Sequence, residues 1–126
     1  MSFTEQLNGM EQKEELTLKQ YQAFTRTTAI YPKDTAIEYL TLGLVGEAGE
    51  IANKIKKVIR DSDSWTVEQY KESREEVVKE LGDVFWYLVR IADEMGKDSE
   101  DIIKENMVKL QSRKERGTIS GNGDNR

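Results

Sequence analysis

Residues that break helices are rare in this chain. Proline occurs once, at Pro32, and glycine is sparse before residue 117. Long segments of helix-forming residues therefore continue without interruption, and no alternating apolar and polar pattern of useful length predicts a strand. The chain is accordingly predicted to be all-α.

Two long segments carry apolar side chains at steps of three and four residues. This spacing places those side chains on one face of a helix, which then faces a core. Two shorter helices are predicted beside them, one that starts at Thr17 and is ended by Pro32, and one that starts at Asp98 or Ser99 and is closed by Gly117. The long stripes consist of Ile37, Leu40, Leu44, Ala48, Ile51, Ile55 and Val58, and of Val77, Leu81, Val84, Leu88, Ile91 and Met95.

The four segments predict a helical bundle of about four helices, two of them long, over residues 17–116. Residues 61–64 are predicted to form the turn between the long helices. Residues 1–16 are expected to be a loose N-terminal segment, and residues 117–126 a Gly- and Asn-rich C-terminal tail. The 126 residues suit a single domain.

Composition restricts the chemistry that this chain can perform. It contains no cysteine and no histidine, which excludes thiolate nucleophiles, imidazole bases and the Glu-x-x-His pairs of di-iron bundles. Its 24 acidic and 19 basic residues give a net charge of −5, which argues against nucleic acid as the main partner. No apolar run approaches the roughly 20 residues that span a membrane, and no signal-peptide pattern is present, so a cytoplasmic protein is expected.

Acidic side chains flank both apolar stripes. Glu47 and Glu50 share one face of the first long helix, and Glu80 and Asp83 share one face of the second. Two carboxylates about 5.5 Å apart repel by roughly 3 kcal/mol at an effective dielectric of about 20, so protonation, a basic partner or a metal must offset the repulsion. With oxygen ligands alone, such a metal would be Mg²⁺ or Mn²⁺ rather than zinc or copper.

Glycines accompany the acidic rows. Gly43, Gly46 and Gly49 repeat at three-residue spacing in the first long helix, and Gly82 adjoins Asp83. Each costs about 1 kcal/mol relative to alanine within a helix. The glycines therefore either permit a close helix crossing or leave room beside the carboxylates for metal, water and phosphate.

Three short stretches carry a resemblance to a known family. GEAGEI at 46–51, ELGDV at 80–84 and NxxKLxxR at 106–113 resemble the MazG-like branch of the all-α nucleoside triphosphate pyrophosphohydrolases. The resemblance covers about residues 18–126, and the ending SGNGDNR resembles that of bacterial and phage-encoded relatives. The 29-residue gap between Glu50 and Glu80 is long for this family.

The resemblance implies a fold, a reaction and a site. Members are helical bundles that assemble as dimers or tetramers, and they hydrolyse a nucleotide between its α- and β-phosphates to give a monophosphate and pyrophosphate. Mg²⁺ would be the cofactor, with Mn²⁺ as a substitute, and one acidic group would also orient the attacking water. The implied metal ligands and catalytic acids are Glu47, Glu50, Glu80 and Asp83, while Asn106, Lys109 and Arg113 match the motif on the last helix.

Further side chains are candidates for substrate contact, each with a structural alternative. Lys109 and Arg113 lie four residues apart and would neutralise phosphate oxygens or complement the negative end of the helix dipole. Lys54 would reach phosphate or form an ion pair with Glu50. Tyr87 continues the acidic row and would stack on the base, or pack in the core as aromatic residues at helical spacing usually do.

A second class of function fits part of the pattern. The three- and four-residue steps of the long helices also suit the seam of a non-enzymatic oligomerisation or adaptor protein. That alternative leaves the acidic rows and the glycines unexplained. It would be distinguished by isothermal titration, since an adaptor should show no binding of Mg²⁺.

Overall fold

The computed structural model describes residues 2, 4–5, 15–61 and 66–126, without the side chains of residues 67, 69 and 70. Between residues 15 and 126 the described chain forms four α-helices and no strand, which confirms the all-α prediction. A 3₁₀ turn, Lys33–Thr35, precedes the second helix. The helices are α1, Leu18–Arg26; α2, Ala36–Asp61; α3, Val67–Glu94; and α4, Ser99–Glu115.

The two long helices form the main helix pair. They are antiparallel, because Gly43 in the first half of α2 lies against Tyr87, whereas Lys54 further along α2 contacts Glu80, which precedes Tyr87 on α3. The shorter α1 packs on α3 and on α4. A cluster of buried apolar residues, Tyr31, Ala36 and Leu40, lies where α2 begins, and α3 packs against it. This arrangement sets the flanking residues of α2 against those of α3.

The first helix starts as predicted but ends early. Thr17 and Gln20 form a complete capping box, with the Thr17 hydroxyl accepting from the Gln20 N–H at 3.1 Å. The helix ends at Arg26, so the prediction that Pro32 ends it is wrong. The next two residues, both threonine, donate their hydroxyls to carbonyls three residues back, and such local bonds compete with the helical ladder.

The apolar stripe of α2 faces the protein interior as predicted. Leu40 is fully buried, and the rest of the stripe is half-buried with the exception of Ala48, which is exposed. Burial of this stripe against α3 is the main apolar contribution to the helix pair, at about 25 cal/mol for each Å² of apolar surface removed from water.

The predicted stripe of α3 is partly wrong. Leu81, Leu88 and Met95 are 42%, 47% and 60% exposed. Relative to the prediction the helix is rotated about its axis, so that Glu80 and Tyr87 face inward in place of Leu81 and Leu88. The buried or half-buried row consists of Ser73, Val77, Glu80, Val84, Tyr87 and Ile91.

As a result, α3 exposes a row of apolar side chains on the surface of the single chain. Val78, Leu81, Phe85 and Leu88 step by three and four residues, and each is more than two-fifths exposed. Monomeric proteins rarely expose contiguous apolar rows of this length, and such rows are common at interfaces between chains.

The last helix is attached mainly at its start. Gly96 has a φ of 71° and terminates α3 as predicted, and the N–H of Ser99 donates to the side chain of Gln22 at 2.7 Å. Residues 100–111 are all exposed. Gly117, with a φ of 70°, follows the end of α4 as predicted. The helix therefore extends from the helix pair rather than packing along it.

A buried arginine connects α3 to the segment after α1. The side chain of Arg90 is 4% exposed and donates to the Tyr31 hydroxyl at 2.8 Å, to Asp93 at 2.8 Å and to Glu94 at 2.9 Å. Tyr31 also donates to Glu94. Because a buried guanidinium is tolerated only when it is paired and hydrogen-bonded, these acceptors are needed for the packing around Tyr31.

Asp93 is the shared acceptor of this network. It also accepts from Arg26 at 2.6 Å and from the Gln22 amide at 3.0 Å. The hydrogen bond from Arg26, followed by those from Gln22 and Arg90, holds the pKa of the Asp93 carboxyl well below its usual range. Through Gln22 the network extends to the start of α4, so one carboxylate links three helices.

The structure describes the C-terminal tail but little of the N-terminal segment. The predicted loose segment, residues 1–16, falls largely outside the described residues, as does the predicted turn after Asp61, the last residue of α2. Residues 117–126 form neither helix nor strand and make hydrogen bonds to α4. No helix of the described chain is long and apolar enough to cross a bilayer.

We expect Asp93→Asn to lower the free energy of unfolding by about 2 kcal/mol at neutral pH, since Arg90 would then keep Glu94 as its one carboxylate partner. The pKa of Asp93 is lowered in the folded state, so its stabilisation is present above about pH 4 and is lost as the pH falls below that value. Urea unfolding of parent and variant at neutral and acid pH measures both effects. Glu100→Gln, which removes only an exposed ion pair with Lys104, should change stability little, and an equal loss in both variants would contradict the role of Asp93.

Candidate metal centre

Three carboxylates meet where α2 and α3 pack together. Glu47 comes from α2, and Glu80 and Asp83 come from α3. Each offers an oxygen, and these oxygens all lie within 4.8 Å of one another. Glu47 and Glu80 are half-buried, and Asp83 is exposed. The acidic rows recognised in the sequence are therefore brought together by the antiparallel pairing of two helices.

Lys54 lies at the edge of this group. Its Nζ is 2.9 Å from a carboxylate oxygen of Glu80, and the two side chains are 28% and 17% exposed. The alternative considered from the sequence, an ion pair with Glu50 on the same helix, is thus replaced by a pair across the seam. The hydrogen bond to Glu80 raises the pKa of Lys54, so the lysine stays charged.

A proton is bound among the crowded carboxylates below about pH 7. The hydrogen bond with Glu80, then burial, and then the negative charge of Asp83 raise the pKa of Glu47 to about 7. The pKa of Glu80 is lowered, first by the hydrogen bond from Lys54 and then by that from Glu47. Two of the compensations expected from the sequence, a proton and a basic partner, are therefore both present in the absence of a metal.

Glu50 lies outside this group of three. Its side chain is exposed, and it borders a groove of about 410 Å³ between α2 and α3 that Lys54 also lines. The sequence reasoning missed the other polar residues of this groove, although Asn53 follows Glu50 at the same three-residue spacing. The remaining lining residues are Asn53, Lys57, Val58, Asp61, Glu72, Ser73 and Glu76.

The glycines beside the acidic rows differ in the space around them. A Cβ at Gly43 would lie 2.8 Å from the Tyr87 hydroxyl oxygen and closer still to the ring, so this glycine permits the close crossing of α2 and α3. By contrast, a Cβ at Gly46, Gly49 or Gly82 would meet nothing within 4 Å. The close helix crossing is therefore confirmed at Gly43, and room for metal, water and phosphate beside the other three glycines stays a prediction.

Tyr87 connects the core to the acidic group. Its ring packs edge-on against Trp86 at 5.1 Å between centroids and contributes to the packing around Leu40. Burial is the first cause that raises the pKa of Tyr87, and the charges of Glu47 and Asp83 contribute further. The tyrosine thus borders the carboxylates while serving as a packing residue.

The three candidates on α4 are not brought to the carboxylates by any described contact. Asn106 and Lys109 are exposed, and Arg113 is buried at the other end of α4 from the helix pair. α4 packs on α1 and α3 but not on α2. Within the described protomer these residues form a second, separate polar region.

Comparison with known proteins identifies the family. The profile of the MazG nucleotide pyrophosphohydrolase domain matches residues 35–118, which span α2, α3 and α4. The chain belongs to the MazG nucleotide pyrophosphohydrolase family. The matched span contains all three clustered carboxylates and every substrate-contact candidate named above.

Two relatives extend this assignment of the MazG domain. The Gene 37 protein of Mycobacterium phage L5 is 46% identical over 112 residues, covering 84% of this chain and 96% of that protein. The Uncharacterized protein YvdC of Bacillus subtilis (strain 168) is 32% identical over 72 residues, covering 56% of this chain and 68% of that protein. No solved structure matches the chain at a significant level.

The donor set of the MazG domain suits a hard divalent cation. Glu47, Glu80 and Asp83 offer only carboxylate oxygens, and such ligands favour Mg²⁺ or Mn²⁺ over softer metals. Three oxygens from the protein also leave coordination positions for water and phosphate, which is how Mg²⁺ is commonly held in phosphoryl-transfer sites.

The raised pKa of Glu47 predicts how metal-free stability depends on pH. The folded state binds this proton more tightly than the unfolded state, so the contribution of Glu47 to stability is fully present below about pH 4.5 and is lost as the pH rises towards about 7. Thermal melts in EDTA at about pH 5 and about pH 8 measure this loss, which we expect to be smaller in Glu47→Gln. Glu38→Gln, in the first turn of the same helix, should retain the parental dependence, and a parental slope in Glu47→Gln would show that Glu47 does not hold the proton.

Proposed function

We propose that this MazG protein hydrolyses a nucleoside or deoxynucleoside triphosphate between its α- and β-phosphates, releasing the monophosphate and pyrophosphate. The family assignment supports hydrolysis of a nucleotide. The observation that carries the proposal is the group of three carboxylates whose oxygens lie within 4.8 Å of one another at the seam of the two long helices. A cluster of this kind is costly to assemble without a cation to bind.

Mg²⁺, with Mn²⁺ as a substitute, is the proposed cofactor. Glu47, Glu80 and Asp83 would hold it, and Glu50, one turn from Glu47 on the exposed side of α2, is proposed as the fourth ligand. When bound, the ion supplies Lewis-acid polarisation of a phosphoryl oxygen and a lowered pKa for a bound water. The same carboxylates would fix the direction from which that water approaches the phosphorus.

Lys54 is proposed to exchange partners during binding. Without a metal it neutralises Glu80 at 2.9 Å. A divalent cation on the same carboxylate would take over that neutralisation and would repel the ammonium group. Lys54 would then be available for an oxygen of the substrate phosphates. It would thus serve as an ion-pair partner before binding and as a phosphate contact afterwards.

The proton on Glu47 has a role in the same exchange. Metal ligands must be deprotonated, so cation binding would release the proton held between Glu47 and Glu80. The freed carboxylates can then accept hydrogen bonds from bound water and orient it for in-line attack. Tyr87, which borders Glu47 and Asp83, is proposed to contact the nucleoside.

The residues of α4 complete the proposed substrate contacts. Asn106, Lys109 and Arg113 are proposed to interact with the substrate, and the exposure of the first two is compatible with that role. The described contacts leave them apart from the carboxylates within one protomer.

Product analysis tests the proposed bond cleavage. With Mg²⁺ and a panel of nucleoside triphosphates, ³¹P NMR should detect pyrophosphate as the first product. Glu47→Gln should lower kcat by at least about 100-fold, because it removes a proposed metal ligand while keeping its size. Glu38→Gln, an exposed position in the first turn of the same helix, should retain parental activity. Orthophosphate with a nucleoside diphosphate would refute the proposed bond, and full activity in Glu47→Gln would refute the proposed metal centre.

An adaptor remains the contrasting outcome. An adaptor of the same fold would show neither turnover nor binding of Mg²⁺ in isothermal titration. Binding that disappears in Glu47→Gln would exclude it.

We also propose that the protein is a homodimer or homotetramer. The exposed row of Val78, Leu81, Phe85 and Leu88 on α3 supports this, since a partner helix would remove it from water. Light scattering at micromolar concentration should therefore give a multiple of the 14.5 kDa chain mass. Phe85→Ser should weaken the assembly, whereas Lys79→Ser on the same helix should not, and a parental mass of one chain would contradict the proposal.

A further inference from the structure

Tyr31 is held in place by several contacts at the start of α2. Its side chain is 9% exposed, and its hydroxyl accepts from Arg90 at 2.8 Å and donates to Glu94. The Arg90 guanidinium also lies 5.8 Å from the centre of the Tyr31 ring, within the range of a cation–π contact. Because this ring is buried and bonded, it has a fixed orientation and can order a second ring that stacks on it.

Tyr39, in the first part of α2, stacks on this anchored ring. The two ring centres lie 5.6 Å apart, and the ring planes differ by 27°. Tyr39 is nevertheless 46% exposed, in contrast to Tyr31. The contact with Tyr31 therefore orders the Tyr39 ring while leaving much of it open to solvent. An exposed aromatic ring that is already ordered loses little conformational entropy when it binds a ligand.

Tyr39 lies on the side of α2 that leads to the acidic residues. Tyr39, Gly43, Gly46 and Glu50 follow one another at steps of four, three and four residues, so they share one side of the helix. The ring of Tyr87 lies against Gly43 on this path. Burial, and then the nearby hydroxyl of Tyr39, raise the pKa of Tyr87, so the two tyrosines are neighbours across the seam.

The two ends of the seam between α2 and α3 differ in chemical character, with the three clustered carboxylates between them. One end carries the rings of Tyr39 and Tyr87. The other end is the groove of about 410 Å³, which is lined mostly by charged side chains such as Lys54, Lys57 and Glu76. A nucleotide whose phosphates lie at the carboxylates extends its base towards one of these ends. A base has an apolar π face, so the aromatic end receives it better than the charged groove.

We propose that Tyr39 binds the nucleobase of the substrate by stacking, so that the nucleoside lies along α2 from Tyr39 towards the carboxylates. Tyr39 and Glu47 are about 12 Å apart along the helix axis, a separation comparable to the length of a nucleoside monophosphate. Between them, a Cβ at Gly46 would meet nothing within 4 Å, which leaves room for the sugar. The inference deepens the proposed function and rests on it for the identity of the ligand.

Stacking on Tyr39 also has a consequence for base preference. Every base has a π face, so an aromatic platform binds bases with little regard to their hydrogen-bonding edges. We therefore expect the contribution of Tyr39 to affinity to be similar for purine and pyrimidine nucleotides.

Isothermal titration with two kinds of probe tests the role of Tyr39. The first kind is a set of α,β-methylene nucleoside triphosphates, one for each base, and the second is pyrophosphate, both with Mg²⁺. Tyr39→Leu should weaken binding of the analogues at least about fivefold, the lower end for loss of one base–aromatic stack, and leave the affinity for pyrophosphate unchanged. Tyr39→Phe keeps the ring and should match the parent. Val45→Ala changes an exposed apolar residue on another side of α2 and should also match the parent.

Two further measurements separate substrate contact from a structural role. In steady-state kinetics, Tyr39→Leu should raise KM at least about fivefold and keep kcat within about twofold, as expected for lost binding that the ground state and the transition state share. Gly46→Ala and Gly46→Leu should weaken binding of the analogues in increasing order. Both should keep at least the parental melting temperature, because the position is open and both residues favour a helix more than glycine does.

Parental affinity of Tyr39→Leu for the analogues would overturn the inference. Equal losses for the analogues and pyrophosphate would also overturn it, since Tyr39 would then only support the fold. An equal loss in Tyr39→Phe would assign the effect to the hydroxyl and refute stacking, and absence of analogue binding by the parent would refute the site. Analogue binding with the expected pattern but no hydrolysis of the triphosphates would refute the proposed reaction and leave the nucleoside site standing. Hydrolysis together with parental affinity in Tyr39→Leu would do the reverse.

Discussion

The close approach of α3 to α2 is the constraint on which the candidate site depends. It is set where the ring of Tyr87 lies against the backbone at Gly43, a position that has no room for a side chain. About one turn and about three turns further along α2, the same pairing brings Glu47 towards Glu80 and Lys54 onto Glu80. A packing contact between an aromatic ring and a glycine thus determines the distances between charged groups.

Two monovalent groups balance the negative charges at this seam, and the proposed cation would replace both. A proton on Glu47 and the ammonium group of Lys54 together offset the repulsion among the carboxylates. Both are monovalent and both can leave, because the pKa of Glu47 is about 7 and the Lys54 side chain is 28% exposed. A divalent ion would replace two weak compensations by one stronger interaction.

Two buried arginines connect segments of the chain, one at each end of the molecule. Arg90 joins α3 to Tyr31 and to the carboxylates of Asp93 and Glu94, and all of its charged partners lie on its own helix. Arg113 instead holds the chain end and keeps an unpaired nitrogen. The first arginine is paired with two carboxylates and serves packing, whereas the second attaches residues 123–124 to α4.

The sequence by itself determined the all-α class, the positions of the helices apart from the end of α1, and the two acidic rows, since helix propensity, capping and the spacing of residues along one helix are local properties. The tertiary structure decided which faces meet. It rotated α3 so that Glu80 and Tyr87 face inward in place of Leu81 and Leu88, left Glu50 outside the carboxylate group, and gave Lys54 a partner on another helix. Adjacent positions on a helix point about 100° apart, so rotation of a helix about its axis replaces one inward-facing row of side chains by the next. That rotation depends on the packing between helices, which no local sequence pattern encodes.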